Sequence, residues 1–233
     1  MADLNEAEAL VRRQGLFNSP IMSDIQVLIG DYKFFAHKAI LSLASQYFER
    51  RLHENDNEEN AEPIRLTEPH GRDAAHLLLR HVYGFEVEIL QEGSTGDWLG
   101  LARPISLLDV AGRYQVSSLR KLTEDKFTAL LECISIATLV TGMESIYLYF
   151  PAGDHRRIAV KVCLDRFESF MGYRWVQPLF EKCPELVTDL LESALGQDRA
   201  IDRLKQILGK PELAVDILKG LARLGAGAPR RLE

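Results

Sequence analysis

The chain has 233 residues, 46% of them hydrophobic and 27% charged, the balance of a folded protein with length for one large or two small domains. Its 28 basic and 34 acidic residues leave a net charge of −6, and no basic helix interleaved with aromatics offsets it, which argues against nucleic acid as a direct partner. Three widely spaced cysteines, Cys133, Cys163 and Cys183, make neither a disulfide framework nor a zinc cage, the amino terminus is acidic where a secretory signal is basic, and no run approaches the ~20 apolar residues of a membrane helix, so an intracellular protein, cytoplasmic or nuclear, is expected.

Glu6 to Gly15 sets Ala9, Leu10 and Val11 among charges and ends on glycine, the pattern of a short helix. Ile25, Val27 and Ile29 alternate with Gln26 and Leu28, the two-residue period of a strand with one buried face. Gly30-Asp31 is a two-residue hairpin signal, because a tight primed turn needs positive φ, and a second strand follows from Tyr32 to Ala36. From His37 the period becomes helical, with Ile40, Leu41, Ala44, Tyr47, Phe48 and Leu52 on one stripe. His53 to Glu62 has five acidic residues in ten and reads as a solvated loop.

Arg72 to Val82 places Ala75, Leu78, Leu79 and Val82 at helical spacing, with Gly84 as its end cap. Phe85, Val87 and Ile89 alternate with Glu86 and Glu88, which predicts a strand with one wet face at a sheet edge. Gln91 to Pro104, with Gly93, Gly96 and Gly100, reads as an inserted loop anchored by Trp98 and Leu99. Helices are expected over Ile105 to Tyr114 and over Ser117 to Leu131, the second capped by Ser117. Beyond residue 134 all is helical: Arg156 to Met171 with Ile158, Val162, Phe167 and Phe170 inward, Pro184 to Leu195 opening on a proline that suits a first turn, then Ala200 to Leu208 and Pro211 to Leu224. Gly225 to Pro229 is a flexible tail.

The first half resembles a BTB/POZ domain. The residues that carry the likeness are Ser23-Asp24 before the strand, Phe34 or Phe35, Ala36-His37-Lys38, Ile40-Leu41 and Ser45-Gln46-Tyr47-Phe48, then Ile64-Arg65-Leu66 as third strand, His81-Val82-Tyr83-Gly84 at a helix end, and Leu108-Asp109-Val110-Ala111 with Tyr114-Gln115-Val116 in the closing helix. The likeness covers residues 10–131. Residues 134–224 resemble, by position and helical period, the BACK-type extension of many adaptor proteins, and 225–233 form the tail. The fold class implied is α+β, a small sheet flanked by helices, followed by an all-helical region.

The function this implies is a non-catalytic protein–protein interaction module that pairs with itself and scaffolds other proteins. In BTB relatives the first helix packs against its copy, so Leu10, Leu16 and Phe17, apolar ahead of the core, are the expected dimer contacts. Asp24 and Lys38 match positions that lie together near the floor of the groove between subunits, and a buried pair there would make loss of either partner cost roughly 3 to 5 kcal/mol. The alternative is a substrate adaptor for a cullin ubiquitin ligase. Relatives that recruit a cullin carry a hydrophobic residue two before a glutamate; here the glutamate falls at Glu58 and the hydrophobic position at Asp56, whose burial would cost several kcal/mol, leaving Leu52 or Leu66 as substitutes.

No enzyme motif competes with these readings. Ser118 and Lys121 have the Ser-x-x-Lys spacing of some acyl enzymes, but the companion motifs are missing. His53-Glu54 begins a zinc-protease pattern that Asn57 interrupts, and His76 and His81, five apart, face different sides of their helix. His37 reads as a buried histidine bonded to nearby backbone. No catalytic residue, metal or cofactor is expected.

Overall fold

The computed structural model describes residues 2–55, 62–66, 72–90, 99–150 and 152–195. The chain divides into two compact units, Met1–Ala129 and Leu130–Glu233.

The first unit is built on a three-stranded sheet of order β2-β1-β3. Strand β1 (Ile25–Ile29) pairs antiparallel with β2 (Tyr32–Ala36), Val27 opposite Phe34, and parallel with β3 (Ile64–Leu66), Val27 opposite Ile64. Gly30, at φ 59, supplies the left-handed residue that the two-residue turn requires. Ile25, Val27, Ile29, Phe34, Ala36, Ile64 and Leu66 all point into one core. Helix α1 (Ala2–Gly15) precedes the sheet.

The single helix expected after His37 is two, α2 (Lys38–Ala44) and α3 (Gln46–Asn55). Ser45 between them is extended, at φ −155 and ψ 126. Its Oγ accepts the Phe48 N–H at 3.2 Å, which caps α3, and donates to the Tyr114 carbonyl at 2.5 Å. The apolar stripe survives the break because Leu41, Phe48 and Leu52 are buried on either side of it.

Helix α4 spans Arg72–Val82 and ends as the sequence indicates. Gly84, at φ 85, donates to the His81 carbonyl and Phe85 to the Arg80 carbonyl, the paired closure of a Schellman motif. Residues 85–89 do not form the expected edge strand. Val87 and Ile89 are buried and Glu86 and Glu88 exposed, but the segment carries no strand assignment. Alternation reports a wet and a dry face; a strand also needs a neighbouring backbone.

Helix α5 (Leu99–Arg113) starts inside the segment read as a loop and contains Pro104, so that reading is corrected for residues 99–104. Pro104 lies in the second turn of the helix and has no N–H to give the Gly100 carbonyl. Residues 91–98, Trp98 among them, lie outside the described residues. Helix α6 (Ser117–Cys133) follows, and the Val116 carbonyl accepts the Arg120 N–H at its start.

The second unit is helical, with α7 (Ile136–Tyr149), α8 (Asp154–Asp165), α9 (Phe167–Met171), α10 (Val176–Lys182) and α11 (Pro184–Leu195). Ser135 caps α7, accepting the Thr138 N–H at 3.1 Å. The helix expected over Arg156 to Met171 breaks at Arg166, whose guanidinium donates to the Leu131 and Ile134 carbonyls at 3.2 and 2.8 Å. Tyr147 donates to Asp189 at 2.5 Å, and Arg156 lies over the Tyr147 ring while bonding Glu185 at 2.6 Å, which ties α7, α8 and α11 together. The helices expected over 200–208 and 211–224, and the tail, lie outside the described residues. Among the described residues no helix is long and apolar enough to cross a membrane.

Candidate functional site

Helix α1 presents Leu10 and Val11 to solvent, 42% and 67% exposed. It is tied to the rest of its unit near its carboxyl end. Arg13 donates to the Val82 carbonyl from Nε at 3.0 Å and also from Nη2, and Gln14 donates to the Gly84 carbonyl at 2.8 Å. Leu10 closes over Gly84 so tightly that a Cβ on that glycine would stand 2.4 Å from the Leu10 Cδ1.

After α1 the chain turns back into the unit. Phe17 meets the rings of Phe34, His76, Tyr83 and Phe85 edge-on, with centroids 4.8 to 5.7 Å apart. Leu16 is packed against the same core. The premise that residues ahead of the core have no intramolecular reason to be apolar is therefore corrected for Leu16 and Phe17, while Leu10 covers Gly84 and still leaves 42% of its surface open. The connecting loop exposes Ile21 and Met22, the latter held at φ 58.

His37 fixes this loop to the sheet. It is buried; its Nε2 meets the Ile21 carbonyl at 2.9 Å and its Nδ1 the Tyr83 hydroxyl at 2.8 Å. A carbonyl only accepts, so in the neutral ring Nε2 carries the proton and Nδ1 accepts from Tyr83. The Tyr83 oxygen in turn accepts the His37 N–H at 3.1 Å. Burial pushes the Tyr83 phenol up to about 12. His37 is thus a structural pin, in keeping with the bland reading of its sequence position.

Asp24 and Lys38 do meet. The Asp24 carboxylate accepts the Lys38 backbone N–H at 2.7 Å, at the start of α2, and Asp24 is exposed. The expected burial of the pair is corrected, since Asp24 is exposed, and its bond at the helix start is favourable because an anion sits at the positive end of the helix. Leu52 is 4% exposed and Leu66 3%, so both belong to the core. Asp56 and Glu58 lie outside the described residues.

His76 and His81 part company, as their spacing implies: His76 meets Phe17 edge-on, while His81 Nε2 lies 2.9 Å from the Ser118 Oγ. Sequence reasoning missed that Ser–His contact, because residues 37 apart show no common period. Burial, and then the Arg13 charge, lower the His81 pKa from its ordinary 6.5.

Comparison with known proteins agrees with this geometry. Residues 14–131 match the family model of the BTB/POZ domain. The chain is similar to the BTB/POZ and MATH domain-containing protein 6 of Arabidopsis thaliana, 24% identical over 184 residues, which covers 76% of this chain and 43% of the relative. It is also similar to the BTB/POZ domain-containing protein At1g21780 of the same plant, 26% identical over 134 residues, 58% of this chain and 37% of the relative. The chain thus spans about two fifths of the length of these curated relatives.

Proposed function

Because this chain belongs to the BTB/POZ domain family, a family of protein–protein interaction modules, through residues 14–131, we propose that it is a non-catalytic intracellular scaffold that pairs with itself through α1 and holds other proteins. The observation that carries the reading is the apolar pair Leu10 and Val11, exposed on a helix anchored only through Leu10, Arg13 and Gln14 among its described contacts. A helix of 14 residues is marginal alone in water, and a second copy would cover its open face. Leu10 is the contact residue in this proposal, with Leu16 and Phe17 setting the angle at which α1 leaves the core. The exposed Asp24 and the α2 start it bonds are assigned to the same groove.

Residues 134–224, whose described part is helical, are proposed as a BACK-like extension that presents partners. Interfaces of ordinary size, about 1,600 Å² in total, support anything from weak to tight pairing, so the test is a titration. Sedimentation of the purified chain across a concentration series up to ~100 µM is expected to give a dimer. Val11→Glu, which disturbs no described contact, is expected to weaken pairing at least about tenfold by burying an unpaired carboxylate. A strict monomer at ~100 µM would remove the proposal.

A further inference from the structure

The sheet of the first unit ends on β2, and most of that edge is closed. A two-residue turn makes Ile29 and Tyr32 a hydrogen-bonded pair, so Tyr32, Phe34 and Ala36 turn their backbone groups to β1, while Lys33, Phe35 and then His37 turn theirs outward. Side chains of this chain meet the last two: Phe35 donates to the Asn18 Oδ1 at 3.0 Å and His37 to the Tyr83 hydroxyl at 3.1 Å. Among the described residues nothing meets the N–H or the carbonyl of Lys33. The edge is open at that residue. Beside it Tyr32 is 68% exposed, with the Arg72 guanidinium over its ring at 5.2 Å. Lys33 and Arg72 are both exposed, and neither is in an ion pair among the described residues; the turn itself holds a single acid, Asp31.

We propose that this open length of β2 takes an extended acidic segment of another protein as a fourth strand, bonded to the Lys33 N–H and carbonyl. The charges select the occupant. A second copy could bond the open residue only by setting Lys33 opposite Lys33, and like charges directly opposite in a sheet are destabilising. A strand with a carboxylate at that place gains where the second copy loses. Main-chain bonds then supply affinity, and the side chains supply the choice of sequence. Lysine on an edge strand is itself a guard against unwanted strands, which is the reason the wanted one is acidic. Asn18 sets the limit of the site, because a strand continuing past Phe34 would have to displace its oxygen from the Phe35 N–H. The proposal names a partner class for the scaffold proposed above and rests on that reading for its purpose; its bonds do not involve α1.

The test titrates the full chain into two fluorescein-labelled heptapeptides, one alternating glutamate with valine and one alternating lysine with valine, and follows their anisotropy. The acidic peptide should bind with a Kd below ~1 mM, at least about tenfold tighter than the basic one, and weaken as salt rises. Lys33→Gln, which keeps the N–H and loses the charge, should weaken it several-fold, and Lys33→Glu should reverse the preference. Lys33→Pro removes the outward N–H without touching the ladder to β1, so it should bind the acidic peptide several-fold less well than Lys33→Gln does. No saturable binding by ~1 mM, equal binding of the two peptides, or equal binding by Lys33→Gln and Lys33→Pro overturns the proposal. Should Lys33→Pro fail to fold, exchange of the Lys33 amide decides: the acidic peptide should slow it, and an unchanged rate overturns the proposal. Sedimentation of the same proteins reads pairing separately. A dimer that Lys33→Pro abolishes would give the edge to a second copy and overturn the proposal. Peptide binding that Val11→Glu leaves unchanged, in a chain that forms no dimer, would support the edge site and remove the self-association reading.

Discussion

Tyr83 and His37 form a closed pair in which one hydroxyl accepts a backbone N–H and donates to a ring nitrogen, so removing that oxygen leaves two buried groups unpaired. Tyr83→Phe is expected to cost about 1 to 3 kcal/mol in urea unfolding at neutral pH. The same residue sets an alkaline limit. Its phenol ionises near 10 in the unfolded chain and at about 12 in the folded one, so its contribution is complete below pH 10 and is lost as the pH rises from 10 to about 12. The slope of stability with pH in that window should flatten in Tyr83→Phe. Asp24 behaves differently because it is exposed. Asp24→Ala should cost about 1 kcal/mol by denaturant titration, the size of a helix-terminus bond, and a loss of 3 kcal/mol or more would reinstate a buried charge pair.

Element ends show which local rules are written in residue types. Gly84 closes α4 in a left-handed conformation, and a glycine two places past the last residue of an apolar stripe says so in advance. Gln115 closes α5 by the same pair of bonds, Gln115 to the Gly112 carbonyl and Val116 to the Ala111 carbonyl, at φ 51 without a glycine. A non-glycine residue is strained there, so Gln115→Gly should raise the free energy of unfolding by about 0.5 kcal/mol in a denaturant titration, the loss of the exposed Arg50 contact offsetting part of the gain. The break at Ser45 was not legible from periodicity, since its cause is the Tyr114 carbonyl 69 residues away. Arg166 interrupts its helix for a similar reason, drawn by carbonyls at the end of α6.

At the scale of the molecule, the adaptor alternative needs an apolar side chain on the cullin-facing surface. Leu52 and Leu66 are committed to the core, and the matching position is Asp56. Purified cullin amino-terminal domain is therefore expected not to be retained at micromolar concentration in a pull-down, and retention would exchange the scaffold reading for the adaptor one. Periods of two and 3.6, a glycine turn and a glycine cap were enough to place β1, β2, α4 and α11, because those signals depend only on neighbours in the chain, while β3 and the family were legible through the resemblance of particular residues to a BTB/POZ domain. Tertiary structure alone decided that Phe17 is core, that Asp24 bonds a backbone N–H, that His81 meets Ser118 and that Arg13 holds α1. A period says which residues share a face; what covers that face comes from segments tens of residues away, whose approach no local pattern encodes.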